Sequence, residues 1–263
     1  MTEQFRHKKS LGQHFLKDQN IIRKIADIAK IEPAEKIWEI GPGKGVLTAE
    51  ILKRNNNLTC FEIDQTLYPI LAKKFGEQIT LVKSDILKIN WPDYLGSEQI
   101  KIVANLPYQI TSPFLFEVAK YTDHFSRVIV MIQKEVAQRI AAGVGSKNYG
   151  ILSLKMQYYF VPRYEFTVKP TVFVPPPRVD SAVISLLPRL DRPKISDEKR
   201  FWRLVEVALR NRRKMLRRNL RELIGKDKVE RLSEISEIDL QKRGETLSEA
   251  EFIQLFEQSE KIS

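Results

Sequence analysis

Between about Glu35 and Leu187, short β-branched runs alternate with stretches of helical periodicity, the pattern of a mostly parallel sheet flanked by helices. Residues 36–40, 58–63, 80–82, 101–104 and 128–132 predict strands, and residues 158–161 and 181–187 predict two more that close the sheet. Helices are expected over residues 46–52, 66–75, 113–119 and 134–142, and the glycine-punctuated residues 143–150 read as a mobile surface loop. Residues 188–193, with two prolines and charge, have linker composition. Beyond them the pattern is helical to the C-terminus. The expected fold class is therefore α/β, a Rossmann-like doubly wound sheet over residues 1–188 followed by a small all-helical domain over residues 194–263.

Composition narrows the compartment and the partner. A hydrophobic content of 43% over 263 residues is enough for a packed core. No apolar run approaches membrane-spanning length, so no membrane role is expected. Residues 6–9, Arg6-His7-Lys8-Lys9, are basic but are not followed by the apolar stretch of a secretory signal. Cys60 is the sole cysteine, which excludes an internal disulfide and suits a reducing cytoplasm. His7, His14 and His124 lack metal-ligand spacing, so no metal is expected. The 44 Lys and Arg against 33 Asp and Glu leave a net charge of +11, which points to a polyanion such as nucleic acid.

That charge has a predicted location. If residues 201–224 form one helix, Arg203, Arg210, Lys214, Arg217 and Arg221 share a narrow face, with Arg212, Arg213 and Arg218 widening it. Val205, Leu209, Leu216, Leu220 and Leu223 fall on a separate apolar face, and only Glu206 and Glu222 relieve the charge. A stripe of one sign suits RNA phosphates. A membrane-surface helix would want aromatics at its polar boundary. Arg210, Lys214, Arg217 and Arg221 are the candidate RNA contacts.

Candidate chemistry sits at the strand ends. Glu39-Ile40-Gly41-Pro42-Gly43-Lys44-Gly45 follows a predicted strand and opens a predicted helix. A dinucleotide fingerprint would need glycine at position 46, which is Val46. G-x-G-x-G with an acid two residues before it suits S-adenosylmethionine, although alone it is equally a tight turn. Glu62, about twenty residues beyond Gly41, is placed to accept from ribose hydroxyls, and Asp85 after the third strand is placed to accept from an adenine amine. Asn105-Leu106-Pro107-Tyr108 ends the fourth strand, which neighbours the first in such a sheet. The Asn105 side chain and the Leu106 carbonyl would draw an exocyclic base amine towards a pyramidal, nucleophilic geometry. Pro107 holds Leu106 extended, and Tyr108 offers a stacking face. Gly41, Gly43, Glu62, Asp85 and Asn105 thus form a candidate cofactor site beside an acceptor site.

Taken together with Lys9-Ser10-Leu11-Gly12-Gln13-His14-Phe15-Leu16, Tyr149-Gly150, Gln157-Tyr158-Tyr159 and Phe173-Val174-Pro175-Pro176-Pro177-Arg178-Val179-Asp180-Ser181-Ala182-Val183, the chain resembles the ribosomal RNA adenine dimethyltransferases along nearly its whole length. Within them it is most similar to the bacterial enzymes of the small-subunit RNA. The resemblance implies a class I methyltransferase sheet, S-adenosylmethionine as cofactor, and a pocket lined also by His14 and Leu16. The family often has Asn where this chain has His14. The resemblance further implies that Phe173 forms a clamp with Tyr108 around an extruded adenine. The expected reaction is double N6-methylation of two adjacent adenosines near the 3′ end of small-subunit RNA, within a pre-ribosomal 30S particle and by a monomer. The alternatives are a large-subunit resistance methylase, a DNA adenine methyltransferase, for which no recognition domain is visible, and an RNA-binding assembly factor without catalysis.

Overall fold

The computed structural model describes residues 13–262. In chain order the elements are β1 (Phe15–Leu16), α1 (Gln19–Ala29), β2 (Lys36–Ile40), α2 (Val46–Leu52), β3 (Leu58–Glu62), α3 (Tyr68–Phe75), β4 (Thr80–Lys83), α4 (Pro92–Leu95), β5 (Ile100–Asn105), α5 (Thr111–Lys120), β6 (Phe125–Gln133), α6 (Lys134–Ile140), α7 (Ile151–Tyr159), β7 (Phe160–Val168), β8 (Phe173–Val174), β9 (Ser181–Pro188), α8 (Glu198–Arg210), α9 (Leu216–Ile224), α10 (Lys226–Ile235) and α11 (Glu249–Glu260). Seven strands form one sheet in the order β4-β3-β2-β5-β6-β9-β7. The pairs among β2 to β6 are parallel, while β9 runs antiparallel to both β6 and β7. The expected doubly wound sheet is present, and its order reverses between β2 and β5, where open α/β sheets place their ligand crevice.

Strands buried on both faces need apolar residues on both, and β5 and β6 supply them. On one face Ile37, Val103, Ile129, Met131 and Val183 pack with Ile22 and Ile25 of α1 and Leu47 and Ile51 of α2. On the other, Trp38 meets Phe61 edge-on at 4.9 Å, and Trp91 stacks on Tyr121 at 5.6 Å. Each fully buried large side chain contributes about 1.5–3 kcal/mol, so the two layers together hold the sheet whose end presents the loops. Asp18 caps α1 by accepting from the Asn20 and Ile21 N–H groups, which fixes the chain just after β1.

The chain divides into two compact units. Of the described residues, one contains those up to Gln138 together with Tyr159–Arg189, and the other contains Arg139–Tyr158 with those from Leu190 onward. The linear division expected at 188 and 194 differs in the inserted segment. The strand expected over residues 158–161 starts two residues later and is longer: Tyr158 and Tyr159 end α7, and β7 begins at Phe160 and runs on to Val168. Tyr158 packs edge-on against Trp202 at 5.5 Å and donates to the Pro193 carbonyl at 2.7 Å. Residues 143–150 are mostly exposed yet tied down, because Arg212 donates to the Lys147 carbonyl and Gly145 N–H to the Glu245 carbonyl. Local glycine content signals a turn but says nothing of such distant partners.

Within the second unit the expected continuous helix over residues 201–224 is broken. α8 ends at Arg210, and Asn211 leaves helical geometry at φ −112°, ψ 83°. Tertiary bonds compensate for the break. Leu216 and Arg217 N–H donate to the Lys242 and Leu240 carbonyls, and buried Asn219 donates to the Ala208 and Asn211 carbonyls. Periodicity continued across the break because both helices bury leucines, with Leu204, Val205 and Leu209 on α8 and Leu216 and Leu220 on α9.

Candidate active site

A cavity of about 510 Å³ opens at the carboxyl ends of β2, β3, β4 and β5. Its size falls in the ordinary range for small-molecule sites. Its walls include His14, Leu16, Gly41, Gly43, Glu62, Asp85, Asn105, Leu106, Pro107, Tyr108 and Phe173. Every candidate cofactor-site and base-site residue read from the sequence therefore lines one space.

The glycine loop shapes its floor. Gly43 and Gly45 have φ of +61° and +72°, the left-handed region that other L residues enter at a cost. A Cβ on Gly43 would lie 2.8 Å from the Phe15 ring, and one on Gly45 would lie 2.3 Å from the Phe75 ring. Gly43 thus lets Phe15 close over the loop, and Gly45 lets α2 start against α3. The Gly43 N–H donates to Glu62 Oε2 at 3.1 Å, and the Asp64 N–H donates to Oε1 at 2.8 Å. These bonds aim the Glu62 carboxylate while leaving each oxygen a further lone pair for hydroxyl donors. Burial nevertheless raises the Glu62 pKa above the ordinary carboxylate value, against the pull of those two N–H groups. Asp85 accepts the Leu87 N–H through Oδ1 at 3.0 Å. Its other oxygen accepts from no described residue.

Glu39 sits behind the loop, only 1% exposed. Burial lifts its pKa to about 7, and the Cys60 thiol donates towards its Oε2 at 3.7 Å. A carboxyl in that state holds a proton for much of its time near neutral pH.

The acceptor side is built on β5. Leu106 N–H donates to the Met131 carbonyl, which continues the ladder one residue past the strand and buries Leu106. Asn105 Nδ2 donates to the His14 carbonyl at 3.1 Å, so its Oδ1 is the face of the amide that accepts from no described group. The His14 ring meets the Pro175 carbonyl through Nδ1 at 2.8 Å and lies 5.6 Å from the Tyr108 ring. Tyr108 is half-buried, its hydroxyl is 2.7 Å from Ser181 Oγ, and burial raises its pKa.

Residues 13–17 and 172–175 strap together across the cavity. β1 pairs antiparallel with β8, with Phe15 opposite Val174 and Leu16 opposite Phe173. Gln13 donates to Asp64, and Lys17 N–H donates to the Val172 carbonyl. Phe173 lines the cavity but is 3% exposed and packs within the core, so it is a wall and a core residue together. Residues 6–9 and the start of the Lys9–Leu16 motif lie outside the described residues. Sequence reading did not single out Phe15, whose position against Gly43 no local pattern reveals, or Ser181, which is an ordinary strand residue by its neighbours.

In the second unit the candidate RNA contacts are less free than a helical wheel implies. Arg210 pairs with Glu222 at 3.1 Å, and Arg217 and Arg221 share Glu230 at 3.3 and 2.8 Å. Those two guanidiniums hold the Glu230 carboxyl below its ordinary pKa, Arg221 first. The expectation of a purely cationic stripe is therefore corrected: α10 brings in an acid that the 201–224 window did not contain. Among the described residues, Arg213, Lys214 and Arg218 are exposed and make no ion pair. The break between α8 and α9 puts Arg213 and Lys214 on a turn and Arg218 just after it. The described residues contain no cluster of metal ligands and no helix long and apolar enough to cross a membrane.

Solved proteins share this fold. A dimethyladenosine transferase from Plasmodium falciparum superposes with a TM-score of 0.77 at 24% identity, covering 95% of this chain and 98% of its own. The 23S rRNA methyltransferase ErmE superposes at 0.67 with 25% identity, covering 94% and 99%. Among curated relatives, the ribosomal RNA small subunit methyltransferase A of Geobacter metallireducens is 42% identical over 96% of this chain and 95% of its own. The protein of that name from Enterococcus faecalis is 41% identical over 98% and 92%. The sequence profile of the ribosomal RNA adenine dimethylases matches residues 4–261. With a match of that length, the chain belongs to the ribosomal RNA adenine dimethylase family.

Proposed function

We propose that this protein transfers methyl groups from S-adenosylmethionine to N6 of two adjacent adenosines near the 3′ end of small-subunit ribosomal RNA, giving N6,N6-dimethyladenosine. The observation that carries the reading is the single cavity in which Gly43, Glu62 and Asp85 stand beside Asn105, Leu106 and Tyr108. The small-subunit choice rests on the curated relatives near 40% identity, whose name specifies that subunit.

The donor set fits the cofactor. Glu62, oriented by two backbone N–H groups, retains lone pairs for a ribose diol, and Asp85 keeps one carboxylate oxygen for an adenine amine. His14, Leu16, Gly41 and Asn105 complete that wall. S-adenosylmethionine, when bound, supplies a methyl carbon on a sulfonium, an electrophile that in-line attack releases from sulfur.

The chain's own work is positioning. Asn105 Oδ1 and the Leu106 carbonyl accept the two N–H bonds of the target amine and so localise a lone pair otherwise delocalised into the ring. Tyr108 stacks on the extruded base with Phe173 as the opposite wall, each such contact being worth about 1–3 kcal/mol. The amine proton is acidic only after nitrogen has become cationic, so no strong base is required. The exposed Arg213, Lys214 and Arg218, with Arg210, Arg217 and Arg221 beside them in sequence, supply phosphate contacts. We place the reaction in the cytoplasm, by a monomer, on a pre-ribosomal particle. The test offers labelled donor with naked small-subunit RNA, immature and mature small subunits, and large-subunit RNA, and maps the modified nucleotides. Paired dimethyladenosines confined to large-subunit RNA would overturn the assignment.

A further inference from the structure

The Tyr108 ring has its open role at the cavity and its anchor elsewhere. Its hydroxyl lies 2.7 Å from Ser181 Oγ, across a sequence separation of 73 residues. Ser181 is fully buried and opens β9, where it is paired on one side with Gln133 and on the other with Val168. The residue before it is just as firmly held. The Asp180 carbonyl accepts the Lys134 N–H at 3.0 Å, and its carboxylate receives Lys134 and Lys169 at 3.3 and 3.2 Å. Ser181 is thus a fixed point on the sheet, whereas Tyr108 belongs to a short turn after β5.

We propose that Ser181 is a positioning residue for the methylation reaction, holding the Tyr108 hydroxyl so that the ring keeps one orientation for the incoming base. A tyrosine side chain has two torsions to settle. Fixing Cα through the β5 turn and the phenol oxygen through Ser181 leaves only rotation about the ring's long axis, which the His14 ring 5.6 Å away restricts. A stacking platform already in place removes the ordering cost that the base would otherwise meet on capture. The hydrogen bond also explains why a buried hydroxyl occurs at the first residue of a strand whose next three positions, Ala182, Val183 and Ile184, are apolar.

The inference rests on Tyr108 being the base-stacking residue, and its test separates the two ideas. Ser181→Ala, Ser181→Thr, Tyr108→Phe and the Ser181→Ala/Tyr108→Phe double variant are assayed for methylation of the small-subunit substrate identified with the native protein. A target hairpin carrying 2-aminopurine at the methylated position reports base extrusion independently. Losing one hydrogen bond of this kind should raise the RNA KM and lower the extrusion signal by about three- to tenfold, with donor affinity unchanged. The double variant should be no worse than the weaker single one, and Ser181→Thr should restore the native KM. If the two single effects multiply, or if Ser181→Thr behaves as Ser181→Ala, the proposal fails while the enzyme assignment stands. A further variant, Tyr108→Ala, assayed in the same way tests the stacking role itself: native capture and turnover there would reject the reading of Tyr108 and this inference with it.

Discussion

Glu39→Gln should remove a pH dependence of stability that the native fold carries. Glu39 is 1% exposed, and burial raises its pKa from 4.5 to about 7. A carboxyl that binds its proton more tightly when folded favours the folded state most at low pH. Its contribution is fully present below pH 4.5 and is lost as pH rises through about 7. At about 1.4 kcal/mol per tenfold change in proton affinity, the whole effect is about 3 kcal/mol, most of which disappears between pH 5 and pH 8. Glutamine fills nearly the same space, can accept from the Cys60 thiol and does not titrate. Urea unfolding of both proteins should be followed by circular dichroism at pH 5, 6, 7 and 8. The stability of the native protein relative to Glu39→Gln should fall by about 2–3 kcal/mol across that range. A difference that stays constant with pH would refute the reasoning and mean that Glu39 is ionised in the folded protein throughout.

Asn105→Ala should lower single-turnover methylation by about 10²–10³, the size of losing one preorganised partner of a developing charge, while RNA affinity changes little. A near-native rate at saturating donor and RNA would remove Asn105 from the mechanism. Glu62→Ala should weaken S-adenosylmethionine binding by calorimetry, at a cost of roughly 1.5–3 kcal/mol, with RNA binding intact; unchanged donor affinity in a folded variant would reject the ribose role. Gly45→Ala puts a Cβ 2.3 Å from the Phe75 ring at φ +72°, and should cost about 2–4 kcal/mol in urea unfolding. Replacing Arg213, Lys214 and Arg218 with Ala should flatten the salt dependence of RNA binding by about 0.7–0.9 in log–log slope for each phosphate that is no longer neutralised. The same triple change at Arg210, Arg217 and Arg221 should flatten it less, because Glu222 and Glu230 already neutralise those side chains.

Sequence alone determined the parallel sheet, the helical C-terminal segment and the gathering of the strand-end loops at one cavity. Those features follow from local order: β-branched runs make strands, and the loops after them must gather at one end of a parallel sheet, so Gly41, Glu62, Asp85 and Asn105 had to converge. What the tertiary structure decided lies wherever the deciding partner is far away in the chain. Helical periodicity runs unbroken through residues 211–215, yet the helix is interrupted there, with the first N–H groups of α9 bonded instead to the Leu240 and Lys242 carbonyls, and Glu230 on α10 takes up two arginines of the stripe. Residues 143–150 have the composition of a free loop and are held by Arg212, more than sixty residues on. Ser181 has no chemical signature beside its neighbours and acquires one only because β9 inserts next to β6, within reach of the Tyr108 hydroxyl. Glu39 likewise reads as one acid of a loop motif, and only its burial on β2, beside Cys60, turns it into a group that keeps its proton near neutrality. Local sequence specifies backbone preference and burial pattern within one element, whereas charge state, ion pairing and the aim of a side chain are set by the dielectric and the partners that folding brings from elsewhere.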